Sequence, residues 1–109
     1  MEVQKIKNII DEHKKVLDSF DESFFESIQS SITLFRKTLI NGSTIFLCGN
    51  GGSAADCQHI AAELVGRFKK NRRPFRAIAL TTDSSVLSCI SNDYKFEDIF
   101  SRQIEALGK

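Results

Sequence analysis

A histidine and a glutamate four residues apart are the side chains in this sequence best suited to proton transfer. His59 and Glu63 stand at i and i+4 in a segment, residues 54–68, whose composition is typical of a helix packed on a sheet. That spacing places both side chains on one helix face, and Asp56 lies on the same side one turn earlier. An imidazole and a carboxylate can act as general acid and base. Taken alone, however, such residues are more often a satisfied helix histidine and an exposed helix carboxylate.

A glycine-rich turn precedes this helix. Residues 44–48 form an apolar run typical of a short buried strand, and the sequence Gly49-Asn50-Gly51-Gly52-Ser53 follows. Glycines allow positive φ angles and close approach of the backbone to a ligand. We expect Ser53 to cap the helix, with Asp56 completing a Ser-x-x-Asp capping box. The free N–H groups of the first helical turn would then form a cradle for an anion or a sugar phosphate.

Two helices are predicted before this turn. Apolar residues at helical spacing predict one helix over residues 2–18 and a second over residues 23–39. Asn41-Gly42 is a typical stop for the second helix. His13 lies beside the apolar stripe of the first helix, and we interpret it as partly buried or at an interface.

A second strand and two helices are predicted after the turn. Residues 75–81 form another buried type of strand, so that strand, helix and strand would make a parallel βαβ unit. A short helix capped by Asp83 or Ser84 follows, and a further helix is predicted over residues 94–107. Because ligands of open parallel sheets bind beyond the carboxyl ends of the strands, the turns after both strands should share one edge.

Composition and charge narrow the class of protein. The 109 residues are 41% hydrophobic and 27% charged, with a net charge of +1, so we expect a globular chain with neither nucleic acid nor a membrane as partner. The basic stretch at residues 69–74 would suit an anion, although a solvated loop is the more frequent explanation. The three cysteines, Cys48, Cys57 and Cys89, form no Cys-x-x-Cys pair. We interpret them as buried free thiols of a cytoplasmic protein.

The segment GNGGSAADCQHIAAELVGRF, residues 49–68, closely resembles the signature of the bacterial phosphoheptose isomerases, which have the sugar-isomerase (SIS) fold. The resemblance continues through RPFRAIALTTDSSVLSCISNDYKFEDIFSRQIEALG to the end of the chain. It implies an α/β chain in which N-terminal helices, residues 1–40, precede the first βαβ part of a flavodoxin-like parallel-sheet SIS fold, residues 41–109. It also implies a homotetramer that the N-terminal helices help to build.

By this resemblance, the reaction converts sedoheptulose 7-phosphate into D-glycero-D-manno-heptose 7-phosphate through an enediol, for the lipopolysaccharide core. Glu63 corresponds to the catalytic glutamate that abstracts or returns the carbon-bound proton. His59 and Glu63 also correspond to zinc ligands of some members, although two ligands fall short of the usual three or four. The implied substrate-binding residues are Asn50, Gly51, Gly52, Ser53, Glu63, Asn92 and Asp93. Without the resemblance, Asn92-Asp93 would be interpreted as a polar helix terminus.

The family continues beyond the point at which these 109 residues end. Its late glutamine and histidine and its Ser-Thr-Ser-Gly-type phosphate loop have no counterpart here. We therefore expect a truncated fold with exposed sheet edges, and an isolated chain with little or no isomerase activity. The alternatives are a non-catalytic SIS-type protein that binds a sugar phosphate or a replication initiator, and an oligomerisation fragment. The presence of both His59 and Glu63 favours the enzyme, because a pure binding module needs neither.

Overall fold

A computed structural model describes residues 2–109 of the chain. The chain forms two units, one extending to Leu34 and the other running from Phe35 to Lys109. The predicted division between residues 40 and 41 stays a prediction.

The first unit is helical. α1 spans Glu2–Asp18 and α2 spans Glu22–Ile40, as the apolar spacing predicts, and neither helix buries any of its described side chains. Asp21 starts α2, because its carboxylate accepts hydrogen bonds from the Ser23 hydroxyl (2.7 Å) and the Phe24 N–H (3.1 Å). These hydrogen bonds lower the pKa of Asp21. His13 is exposed in this chain and donates through Nδ1 to its own helix, so partial burial is wrong, while an interface role stays a prediction.

The second unit begins with the end of α2. Gly42, at φ 72°, allows the chain to reverse, and the N–H groups of Gly42 and Ser43 donate to the carbonyls of Leu39 and Thr38. This pair of bonds is a Schellman motif, which satisfies carbonyls that the helix itself leaves without partners. The predicted Asn41-Gly42 stop is confirmed, and it directs the chain into the first strand.

A parallel βαβ unit follows. β1 spans Ile45–Leu47, α3 spans Gly52–Val65 and β2 spans Ala77–Ala79, and the two strands pair in parallel with Ile45 opposite Ala77. Both strands are shorter than the apolar runs that predict them. α3 packs on both strands, and the buried core of this layer is Ile45, Ala61 and Ala77. The small side chains of Ala61 and Ala77 let the helix approach the strands closely.

The final part of the chain differs from the prediction of one continuous helix over residues 94–107. α4 spans Ser84–Asp93, a 3₁₀ turn covers Phe96–Asp98, and α5 spans Ser101–Leu107. Lys95 is extended (φ −137°, ψ 152°), which breaks the helical path between α4 and the 3₁₀ turn. Ile99 is buried in this part of the chain, whereas Phe96, Ile104 and Leu107 are exposed.

Two other expectations concern cysteines and membrane segments. Cys57 is buried, but Cys48 and Cys89 are exposed, so the prediction of buried thiols is wrong at two of three positions. Within residues 2–109, no helix combines the length and apolar character that a membrane span requires.

Burial of Leu80, directly after β2, should contribute strongly to stability. Its side chain is 2% exposed, so Leu80→Ala would leave a cavity and lower the free energy of unfolding by about 2–5 kcal/mol. Two residues earlier, Ile78 is 42% exposed, and Ile78→Ala should cost clearly less. Denaturant unfolding followed by circular dichroism measures both changes. Equal losses for the two variants would contradict the packing described for this unit.

Candidate active site

The glycine turn between β1 and α3 starts the helix without help from a side chain. Gly51 is the N-cap residue, at φ 57° and ψ −122°, and no described side chain caps the first turn. The backbone closes the turn instead, because the N–H of Ser53 donates to Asn50 (3.0 Å) and that of Ala54 to Gly51 (3.1 Å). The predicted Ser53 cap and its box with Asp56 are therefore wrong. Positive φ at Gly51 lets α3 begin one residue before Ser53, which becomes part of the helix.

At Gly49, glycine is required because there is no room for a side chain. A Cβ atom at Gly49 would lie 2.8 Å from the Cβ of Ser53 and 3.0 Å from its carbonyl oxygen. The end of β1 thus rests directly on the first turn of α3. This contact sets the position of the helix N-terminus relative to the strand.

A cavity of about 390 Å³ opens at this edge of the sheet. Gly49, Asn50 and Gly51 form one side of it, and Thr81 from the turn after β2 lies on another. The prediction that the turns after both strands share one edge is confirmed. Thr81 connects the two elements, since its hydroxyl accepts a hydrogen bond from Gln58 of α3 (3.3 Å).

α4 supplies a row of hydroxyl groups to the same cavity, which the sequence analysis missed. Ser84, Ser88 and Ser91 line it, and their i, i+4, i+7 spacing was the available signal. Ser88 donates to the carbonyl of Ser84, and Ser91 to that of Leu87, each at 2.7 Å. Because these donors are used within the helix, the hydroxyl oxygens remain available as acceptors. Asp83 caps α4 through the Val86 N–H (3.0 Å), which is one of the two predicted caps.

The apolar part of the cavity comes from the segment after β2 together with the first turn of α3. Its members are aliphatic and aromatic side chains: Ala54, Leu87, Phe96, Ile99 and Phe100. A cavity with apolar walls and a few converging polar groups is the usual form of a small-molecule site. Hydroxyls and glycine backbone groups would suit a polyhydroxylated ligand.

His59 and Glu63 do lie together, but away from this cavity. His59 Nε2 and Glu63 Oε1 are 3.0 Å apart, with the side chains 73% and 36% exposed. Ala54 is the α3 residue that lines the cavity, and at about 1.5 Å per residue Glu63 lies about 14 Å farther along the helix axis. The pair can orient a carboxylate base against an imidazole, which is the arrangement that general acid–base catalysis uses.

The same pair does not form a zinc site by itself. Imidazole nitrogen and carboxylate oxygen are donor types that zinc accepts, but a zinc site has at least three protein ligands. Within residues 2–109, no cluster of three or more histidine, cysteine, aspartate or glutamate side chains could hold a metal. The residues present therefore do not fit zinc without further ligands.

The remaining predicted site residues lie near the cavity without lining it. Asn92 and Asp93 end α4, directly after the cavity residue Ser91, and the Asn92 amide donates to the Asp93 carboxylate (3.1 Å). The Cys89 thiol also donates to Asp93, and this hydrogen bond raises the pKa of Cys89. Gly52 and Ser53 belong to the first turn of α3. Among the predicted substrate-binding residues, Asn50 and Gly51 are the two that face the cavity.

The two adjacent glycines of the turn should respond in opposite ways to a methyl group. Neither Cβ would meet an atom within 4 Å, so the difference lies in the backbone. Gly51→Ala places alanine at φ 57° and should cost about 1–3 kcal/mol of folding free energy. Gly52→Ala, within the helix, should be neutral or stabilise by up to about 1 kcal/mol. Thermal unfolding of both variants tests this, and a destabilising Gly52→Ala equal to Gly51→Ala would refute the described turn.

Comparison with known proteins identifies the family. The SIS domain model matches residues 9–109. The phosphoheptose isomerase of Geotalea daltonii is 52% identical over 107 residues, which are 98% of this chain and 56% of the relative. That of Aquifex aeolicus is 53% identical over 105 residues, which are 96% of this chain and 55% of the relative.

Solved structures give the same result. Phosphoheptose isomerase GmhA from Neisseria gonorrhoeae matches with a TM-score of 0.89 and 37% identity, over 100% of this chain and 56% of that protein. A phosphoheptose isomerase from Francisella tularensis matches with a TM-score of 0.92 and 29% identity, over 100% and 57%. The chain thus spans about half the length of the relatives it matches, and the predicted resemblance and α/β fold class are confirmed. From its glycine turn, its parallel strand pair and the match over residues 9–109, this chain belongs to the SIS domain family.

Proposed function

We propose that this chain supplies the sugar-binding turn and the proton-transferring carboxylate of a phosphoheptose isomerase. The observation that carries the proposal is the Glu63 carboxylate, held 3.0 Å from His59 Nε2 on a helix that starts at a glycine turn beside a cavity. The relatives named phosphoheptose isomerase, about half identical over most of this chain, support the same reaction. The substrate would be sedoheptulose 7-phosphate, and the product D-glycero-D-manno-heptose 7-phosphate.

In the proposed reaction, Glu63 acts as the base. It takes a proton from C1 of the ketose, the C2 carbonyl oxygen gains a proton, and an enediol forms. Return of a proton to C2, with loss of the proton from the C1 hydroxyl, gives the aldose. His59, within hydrogen-bonding distance, would orient the carboxylate and keep it from turning away between the two transfers.

The binding groups are proposed from the cavity and its surroundings. Asn50 and the backbone of Gly51 and Gly52 would contact sugar hydroxyls, with the Ser53 hydroxyl beside them. Asn92 and Asp93 would contribute from the end of α4. These assignments rest on the resemblance and on the position of Asn50 and Gly51 at the cavity.

A homo-oligomer is part of the proposal. Glu63 lies about 14 Å along α3 from the cavity residue Ala54, so one substrate could meet both the cavity and Glu63 if two copies of the chain share a site. Six aliphatic side chains of α1 are each at least half exposed, which favours a subunit interface: Val3, Ile6, Ile9, Ile10, Val16 and Leu17. We propose the tetramer implied by the resemblance, acting in the cytoplasm for lipopolysaccharide core synthesis.

We propose zinc only for a site in which residues from outside this chain complete the ligand set. His59 and Glu63 would be two of its ligands, and one or two more would have to come from outside these residues. A bound zinc ion would polarise the substrate carbonyl. The proton transfers described above do not depend on it.

Removing the base should stop the chemistry. In the protein that carries this chain, Glu63→Gln should lower kcat for sedoheptulose 7-phosphate by about 100- to 10,000-fold. It should also stop incorporation of deuterium from D₂O into the sugar carbons, because that exchange requires the enediol. Glu105→Gln on α5, which removes an exposed carboxylate of the same size, is the control and should change neither value. Full activity of Glu63→Gln would show that another group is the base, whereas no turnover by the unmodified protein would favour the non-catalytic alternative.

The isolated 109-residue chain should be a poor isomerase. Its proposed base is 36% exposed and its imidazole partner 73% exposed, so water is not excluded from either group. We expect no measurable turnover of sedoheptulose 7-phosphate by the purified chain at concentrations where circular dichroism shows it folded. Measurable turnover, abolished by Glu63→Gln, would overturn this expectation.

A further inference from the structure

The basic stretch after α3 contains one arginine that turns back onto the helix. The Arg72 guanidinium donates through Nη2 to the carbonyl of Glu63 (2.6 Å), and through Nη1 to those of Leu64 (3.1 Å) and Gly66 (3.0 Å). It also donates to the carbonyl of Arg73 (3.3 Å). Arg72 is half-buried, so the interpretation of this stretch as a solvated loop is wrong at this residue.

These hydrogen bonds reach carbonyl groups at the C-terminal end of α3. The last four carbonyls of a helix have no partner within the helix, and its C-terminus carries partial negative charge. The last turn of α3 has no basic residue of its own. Arg72 therefore provides from the loop both the donors and the positive charge that this helix end lacks.

Arg72 is itself held by Phe75. The guanidinium lies 4.2 Å from the centre of the Phe75 ring, and the Phe75 N–H donates to the carbonyl of Leu64 (3.0 Å). Arg72 and Phe75 of the loop thus contact each other and both bind the end of α3. The neighbouring arginines differ: Arg67 donates to Asn71, and Arg73 lies 5.6 Å from the Phe75 ring.

We propose that Arg72 is a positioning residue for Glu63. By holding the backbone carbonyl of Glu63 and the turn that follows it, Arg72 fixes the direction in which the carboxylate leaves the helix toward His59. An unsupported last turn would fray, and the carboxylate would sample positions away from the imidazole. This inference rests on the proposed function, because it acts through the catalytic role of Glu63.

The test compares Arg72→Ala, Arg72→Lys and Arg73→Ala in the protein that carries this chain. Arg72→Ala should lower kcat by about 10- to 100-fold, the scale of effect expected when a reacting group is misplaced by about 1 Å. KM should stay within about twofold, because the sugar-binding turn at the other end of α3 is unchanged. Arg72→Lys, which keeps the charge but not the planar fork, should be intermediate. Arg73→Ala should match the unmodified protein.

Three further readouts separate positioning from general stability. Amide hydrogen exchange should quicken in the last turn of α3 and not in its first turn. Turnover is expressed per folded molecule, from circular dichroism at the assay temperature. In a Glu63→Gln background, Arg72→Ala should cause no additional loss, since the two residues act through one group.

The outcomes decide between the two proposals. Unchanged kcat per folded molecule in Arg72→Ala, or an additive loss in the double variant, would overturn the positioning role while leaving Glu63 as the base. If Arg72→Ala does not fold, Arg72→Lys decides: kcat equal to that of Arg73→Ala would overturn the role, and a selective loss of kcat would support it. Full activity of Glu63→Gln would overturn the proposed function itself.

Discussion

The packing of α3 across the parallel strand pair is the constraint on which the rest of the second unit depends. Ala61 of the helix meets Ile45 and Ala77, which lie opposite each other on β1 and β2. Two of these three residues are alanines, so helix and strands approach closely and leave little room for alternative positions. The His59–Glu63 pair is on α3, and the glycine turn and Thr81 contact this helix, whereas α4 supplies the serines of the cavity.

The two ends of α3 are fixed by different physical means. The start of α3 is fixed by the backbone. Gly51 adopts a positive φ, and Gly49 lies so close to Ser53 that a side chain at position 49 would collide with it. The end of α3 is fixed by a side chain from the following loop, since Arg72 donates hydrogen bonds to carbonyls of the last turn. The helix between these two ends sets the separation of the cavity edge from the His59–Glu63 pair.

That separation has a consequence for function. The cavity lies at the start of α3, where Ala54 lines it, and the acid–base pair lies on the second half of the same helix, so the pair does not face the cavity within one chain. The pair is also exposed to solvent, a condition that suits catalysis poorly until another surface covers it. In the proposed homo-oligomer, a site shared between copies would bring the pair to a cavity and cover it from solvent.

Sequence by itself determined what depends on short-range geometry. The proximity of His59 and Glu63 follows from their i, i+4 spacing, the end of α2 follows from Gly42, and the start of α4 follows from Asp83. The α/β class and the parallel pair were also predictable, because the strand–helix–strand pattern allows little else.

Tertiary structure decided what depends on residues distant in the chain or on competing local choices. Gly51 rather than Ser53 starts α3, since the turn leading out of β1 sets where the helix can begin. The serines of α4 line the cavity because α4, which follows β2, lies beside the glycine turn in the folded chain. Arg72 reaches carbonyls six to nine residues earlier because the loop folds back onto Phe75 and the helix end. No spacing rule encodes such contacts, because they arise from the path of the folded backbone.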